Sequence, residues 1–220
     1  MRGAVEVRRI LCFGDSNTWG TRPEGGRFPK SLRWPGVLQQ ALGGRVSVLA
    51  DGVPGRTTAL SDPDQPGRNG LEALPGALDA TAPVDLLVLM LGTNDLKRVF
   101  QRSPEQVASG MEGLVRVALR SAAGPGGAAP EVLVVAPPPF DEAVTGALFR
   151  GRGWAAERLA EEYRTLARRL RVHFFDAATA ALPSRVDGVH LDAEGHARLG
   201  YALAQWVEQN GWTGNEPRSV

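Results

Sequence analysis

Short apolar runs alternate along the chain with longer stretches of helical periodicity. Ile10 to Phe13 is apolar, preceded by Arg8 and Arg9 and closed by Gly14, which predicts a buried strand. Val46, Val48 and Leu49 suggest a second strand over 45–50. Val84 to Leu91 is apolar except for Asp85, the mark of a central strand buried on both faces. Val132 to Ala136 predicts a fourth, stopped by Pro137-Pro138-Pro139, and Val172 to Phe175 a fifth.

Helices fill the intervals. Ser31 can cap one over 32–42, with Leu32, Val37, Leu38, Ala41 and Leu42 turned inward and Gly43-Gly44 ending it. A helix over 71–80 tolerates Pro75 only in its first turn. Ser103-Pro104-Glu105-Gln106 combines a cap, a first-turn proline and a capping-box Gln, and starts a helix that runs to about Ser121. Gly124 to Pro130 reads as a flexible connector. Ala156, Leu159, Ala160, Tyr163, Leu166, Ala167 and Leu170 share one face of a helix over 155–170. A last helix over 193–209 buries Ala197, Leu199, Leu203, Trp206 and Val207, and the tail from Gly211 to Val220 is expected to fray.

Strands that alternate with helices predict an α/β fold: a parallel sheet of five strands with right-handed crossovers and helices on both faces, three layers in all. The 220 residues suffice for one such domain over 1–220, and no internal repeat or second domain is visible. Apolar residues make up 43% and charged residues 22%, with a net charge of +1, which gives no reason to expect nucleic acid or a membrane as partner. Cys12, the one cysteine, reads as a small buried hydrophobe and permits no intrachain disulfide. A first strand starting by about Arg9 leaves no room for a secretory signal, and no apolar run reaches the ~18 residues of a membrane span. A cytoplasmic location is the expectation.

Four polar turns follow strands or the last loop: Ser16, Gly55, Asn94 and the pair Asp187/His190. Each alone is ordinarily a cap or turn residue. In a parallel sheet, however, all strand carboxyl ends lie on one edge, where ligands bind. A Ser nucleophile needs a base, and His serves near neutral pH. Of the three histidines, His173 should start a strand and His196 should lie on the last helix; His190 sits in a loop three residues after a carboxylate. Asp187 can turn back to His190 Nδ1 and fix its tautomer, with Gly188 permitting the turn. The Ser16 N–H, a Gly N–H and the Asn94 amide would make a three-donor oxyanion hole.

Gly14-Asp15-Ser16, Gly55 within Pro-Gly-Arg-Thr, Gly92-Thr93-Asn94-Asp95 and Asp187-x-x-His190 resemble the four sequence blocks of the SGNH/GDSL hydrolases, in the family's order. The longer strings Gly-Asp-Ser-Asn-Thr-Trp-Gly, Gly-Arg-Thr-Thr and Leu-Gly-Thr-Asn-Asp look most like the arylesterase/acyltransferase branch. The resemblance implies a flavodoxin-like fold and a serine esterase for short acyl and aryl esters. It makes Ser16 nucleophile, His190 base and Asp187 its partner, with Ser16, Gly55 and Asn94 in the oxyanion hole. Gly52 competes for the second block; Gly55 is preferred because it directly precedes Arg56-Thr57. Thr18 stands where an α/β-hydrolase elbow needs Gly, no Gly-x-Gly-x-x-Gly follows the first strand, and Cys and His do not cluster for zinc. No cofactor and no metal are expected.

Trp19, Trp34, Phe140, Phe149 and Trp154 lie in or near loops beside the expected site and are candidates for an acyl or aryl pocket, and Asp15 and Thr93 flank the motif residues as further substrate contacts. Residues 137–154 form a long loop, a lid or a subunit contact. Arg56 either meets a polar leaving group or is solvated or ion-paired. The expected partner is a small-molecule ester, and the resemblance to oligomeric arylesterases implies a homo-oligomer. Alternatives are a carbohydrate O-acetylesterase, thioesterase or lysophospholipase of the same fold, and a catalytically silent flavodoxin-like binding module.

Overall fold

A computed structural model describes residues 7–62 and 65–212, so the end of the expected frayed tail, 213–220, lies outside the described residues. The strands are β1 (Arg8–Gly14), β2 (Val46–Gly52), β3 (Leu86–Met90), β4 (Glu131–Ala136) and β5 (His173–Asp176). They form one parallel sheet in the order β2-β1-β3-β4-β5. The helices are α1 (Ser16–Trp19), α2 (Trp34–Leu42), α3 (Gly70–Thr81), α4 (Pro104–Arg120), α5 (Glu142–Thr145), α6 (Gly153–Leu170) and α7 (Ala193–Gln209).

Side chains alternate across the sheet and so build two cores. Leu11 and Phe13 of β1, Leu87 and Leu89 of β3, and Val132 and Val134 of β4 pack against α3, α4 and α6. Ile10, Cys12, Leu86, Val88, Leu133 and Val135 face the other way, onto α2 and α7. This two-sided burial is why the strands read as unbroken apolar runs. The chain reverses its strand order about β1, with β2 on one side and β3 on the other. The crevice at such a reversal, beyond the strand carboxyl ends, is where this class of sheet binds ligands.

Three local expectations need correction. Ser31 does not cap α2: residues 30–32 form a separate 3₁₀ turn, α2 starts at Trp34 with Pro35 as its second residue, and Leu32 is exposed. The Trp34 N–H is instead bonded by His196 Nδ1 of α7 at 3.2 Å, a cap supplied by a distant helix. Pro75 lies in the second turn of α3, on its exposed side. The stretch 137–154 is not a featureless loop. It holds α5 and a 3₁₀ turn over Gly146–Leu148, and α6 already begins at Gly153. Among the described residues no helix is long and apolar enough to cross a membrane.

Candidate active site

β1 delivers the first component. Its last carbonyl, Gly14 O, accepts from Val53 N–H at 3.1 Å and from the Arg56 guanidinium at 3.0 Å. Asp15 then caps α1, its carboxylate accepting the Asn17 N–H at 2.9 Å, so that Ser16 is the first helical residue. The Ser16 N–H has no acceptor within the helix and donates to no protein group among the described residues.

The base arrives from the far end of the chain, in the segment between β5 and α7. Asp187 Oδ1 accepts the Val189 and His190 N–H groups, each at 2.9 Å, which curls the loop back on itself. Asp187 Oδ2 lies 2.6 Å from His190 Nδ1, and His190 Nε2 lies 3.0 Å from Ser16 Oγ. With a carboxylate as acceptor, Nδ1 carries the proton and Nε2 is left to accept from the Ser16 hydroxyl. Gly188 is required in this turn. Its φ is +71°, and a Cβ there would lie 2.8 Å from Asp141 O and 2.9 Å from Val144 Cβ. The Asp141 N–H in turn donates to Gly188 O at 2.8 Å, docking the segment that carries α5 onto the base loop.

The second and third components are joined to the first by hydrogen bonds. Asn94 Nδ2 donates to Arg56 O at 3.1 Å, which orients its amide and leaves one N–H uncommitted. Asp95 accepts the Thr58 N–H at 2.9 Å and the Thr58 hydroxyl at 2.6 Å. Burial pushes the Asp95 carboxyl up to about 7 despite those donors, and the Asp15 carboxyl up to about 6 despite its own donor and nearby His190, Arg56 and Lys97. Between the two glycines of the second block, Gly52 has a packing reason to lack a side chain, since a Cβ would run into the Trp19 backbone nitrogen. The Gly55 N–H donates to no protein acceptor among the described residues.

Arg56 is neither solvated nor turned toward a leaving group. It is 3% exposed, paired with Asp51 at 2.9 Å, and its guanidinium lies 4.0 Å from the Phe13 ring centroid. It is therefore a bridge between β1 and the two loops that follow β2 and β3. Of the readings the sequence offered, the ion-paired one holds; that the pair is buried and also reaches Gly14 O is recognisable only with its partners in place.

The candidate pocket residues separate. Phe140 and Phe149 are buried and pack on each other, centroids 4.3 Å apart, as part of the core beneath α5, and Trp34 is wholly buried against α7. The apolar-pocket expectation is thus corrected for these three rings: the flanking sequence looked like loop, but the core reaches that far. Trp154 is 51% exposed in the first turn of α6, beside the Arg152 guanidinium. Trp19 is half-buried at the end of α1, under Arg27 at 4.4 Å. Asp15 and Thr93 are buried next to Ser16 and Asn94, and Asp15 is committed to capping. Asn17 was not singled out in the sequence. Its carboxamide bonds to both sides of His190, and no local pattern signals it.

The family model of the GDSL-like lipase/acylhydrolase family matches residues 12–198, most of the chain. An aryl esterase of M. smegmatis is 42% identical, with a TM-score of 0.87 over 92% of this chain and 99% of that chain. Est24, a carbohydrate acetylesterase from Sinorhizobium meliloti, is 41% identical, with a TM-score of 0.87 and the same coverage of both chains. A stretch of 49 residues is 37% identical to the uncharacterized lipoprotein YqeF of Bacillus subtilis (strain 168), where the match spans only 20% of that protein's length. With the matched model spanning all but the ends of the sheet-and-helix framework just described, the chain belongs to the GDSL-like lipase/acylhydrolase family.

Proposed function

We propose that the protein is a serine esterase that cleaves short acyl and aryl esters through an acyl-enzyme on Ser16. The observation that carries this reading is the file of Asp187, His190 and Ser16, at 2.6 and 3.0 Å. As Ser16 Oγ bonds to the ester carbonyl carbon, its proton passes to His190 Nε2. Asp187 stabilises the imidazolium without taking its proton. The negative charge on the former carbonyl oxygen is met by the Ser16 N–H, the Gly55 N–H and Asn94 Nδ2, in donor positions set before the reaction begins. When the bond to the leaving oxygen breaks, His190 returns the proton to it. Water then attacks the acyl carbon, gives a proton to His190, and the acid leaves as Ser16 regains its hydrogen. An alcohol in place of water gives acyl transfer.

The name of the M. smegmatis relative supports an aryl ester, and that of the Sinorhizobium relative supports a sugar acetate as the second reading. Both use the same acyl chemistry and differ in the alcohol. A panel of chromogenic acetates, longer acyl esters and acetylated sugars separates them. Acyl transfer to the peptide bearing Ser16, read by mass after rapid quenching, is expected; absence of any adduct or turnover from a folded protein supports the silent binding module instead.

The same reading takes a small-molecule ester as partner. A homo-oligomer is proposed with it, supported by exposed Val99 and Leu148, which lie on segments joined by the Arg98 N–H to Leu148 O bond. Sedimentation of the purified protein as a monomer would remove that part. A cytoplasmic location is proposed as the default for a chain whose one cysteine gives no sign of an oxidising compartment, and cell fractionation tests it.

A further inference from the structure

From Gly188 to the Leu191 N–H every backbone hydrogen-bonding group of the base loop is paired, and following these bonds leads to one side chain outside the loop. The Gly188 N–H donates to Ser184 O and Gly188 O accepts from Asp141 N–H, both at 2.8 Å. The N–H groups of Val189 and His190 go to Asp187, and His190 O accepts from Ser184 N–H at 2.8 Å. Two groups remain, the carbonyl before His190 and the N–H after it. Asn17 takes both: its Nδ2 donates to Val189 O at 3.3 Å, and its Oδ1 accepts the Leu191 N–H at 2.9 Å.

A carboxamide suits this task because it offers one donor edge and one acceptor edge in a plane, as a neighbouring strand would. Asn17 is 3% exposed and directly follows Ser16 on α1. Apart from the Ser16–His190 contact itself, these are the hydrogen bonds that join α1 to the base loop among the described residues. Leu191, the next residue, is wholly buried against α2 and α7, so the loop is gripped on the side away from the imidazole.

We propose that Asn17 is a positioning residue that sets the distance between the base and the nucleophile by holding the peptide groups on either side of His190. This rests on the reading of Ser16 and His190 given above. Asn17 touches no reacting atom. Losing it leaves Val189 O and Leu191 N–H unpaired in a buried place, and the loop must shift to find other partners. Because a bond between base and nucleophile tolerates little displacement, the effect falls on the chemical step and not on ester binding.

Two variants and one control test this. Asn17→Leu keeps the branched shape, at a somewhat larger volume, and removes both bonds. It is expected to lower kcat on a chromogenic acetate by about 10- to 100-fold with KM within about twofold, because the loss lies in transition-state geometry. Asn17→Asp is isosteric and keeps the bond from Leu191 N–H, but sets a carboxylate against Val189 O. Its added charge joins Asp187 and Asp15 near His190, and His196, which burial holds neutral above about pH 4, does not offset it. It is expected to move the acidic limb of kcat/KM upward by about one pH unit, a shift that loosened packing alone does not produce.

Near-wild-type kcat in folded Asn17→Leu overturns the proposal, as does a loss confined to KM, which would make Asn17 a substrate contact. If Asn17→Leu fails to fold, Asn17→Asp decides: an unmoved acidic limb with unchanged kcat overturns the proposal. Ser16→Ala runs in parallel. Turnover surviving in Ser16→Ala breaks the underlying reading, whereas an inactive Ser16→Ala beside wild-type-like Asn17 variants breaks only the role given to Asn17.

Discussion

Ser16 follows a central strand, while His190 sits in a loop that belongs to no sheet. The Ser16 turn is fixed by burial. β1 has partners on both sides, Phe13 is fully buried, and Arg56 clamps the last carbonyl of the strand. The base loop spans the 13 residues from Ala180 to Asp192, and among the described residues the hydrogen bonds that tie it to segments other than the turn and helix flanking it are those to Asp141 and Asn17 and the contact with Ser16. Its shape comes from bonds to itself, through Asp187 and Ser184. One half of the site is thus held by packing and the other by a few directed bonds. Damage to the first half should appear in stability, and damage to the second in rate.

Ser16→Ala separates chemistry from both. Removing a triad nucleophile typically costs about 10⁶-fold in kcat. Because the missing atom bonds only His190 Nε2, the melting temperature should hardly move, and calorimetry beside an ester assay checks both halves of the statement. Arg56→Ala tests the packed half. It strips Gly14 O and Asp51 of a buried cation, and an unfolding free energy lowered by about 3 kcal/mol is expected in urea titrations. An Arg56→Ala protein of unchanged stability would break the contrast.

His196 gives a third test, through pH. Burial holds its imidazole down to about 4, with Nδ1 accepting from Trp34 N–H and the ring set edge-on to Phe28 at 5.3 Å. In the unfolded chain the group titrates near 6.5, so protons favour unfolding between those values. Its contribution is fully present above about pH 6.5 and is lost as pH falls toward 4, by up to about 3 kcal/mol. Asp15 and Asp95 act in the opposite sense. Their raised folded values mean the native state binds more protons, so their effect on stability grows less favourable as pH rises through about 6 and 7. Bulk stability mixes the three. The gap between wild type and His196→Gln isolates the histidine, and it should widen from pH 4 to 7 in denaturant titrations; a constant gap would exclude this titration.

Gly188→Ala probes the directed half and should be the mildest. The new methyl meets Asp141 O and Val144, so the base loop must move. A fall in kcat of about tenfold, or about 1.4 kcal/mol, is expected, with the left-handed φ lowering the melting temperature by only a few degrees. A large thermal destabilisation with unimpaired turnover of the remaining folded fraction would reverse the contrast.

The same division explains what the sequence made legible. Buried strands announce themselves by composition, as Val84 to Leu91 does, and α4 by its Ser103 capping box. Ser16, Asn94, Asp187 and His190 stand in short motifs and could be named as candidates. What depends on distant partners could not. The cap on α2 comes from a histidine on α7, and Phe140 and Phe149 find each other beneath a segment that reads as loop. Asn17 looks like any polar residue in a turn until the opposite end of the chain is laid beside it.

The bond from Asp141 N–H to Gly188 O joins the residue that caps α5 to the turn beside the base. A displacement of α5, by mutation or by redesign, therefore pulls on the proton acceptor as well, and any change made there calls for a compensating one at Gly188 or its neighbours.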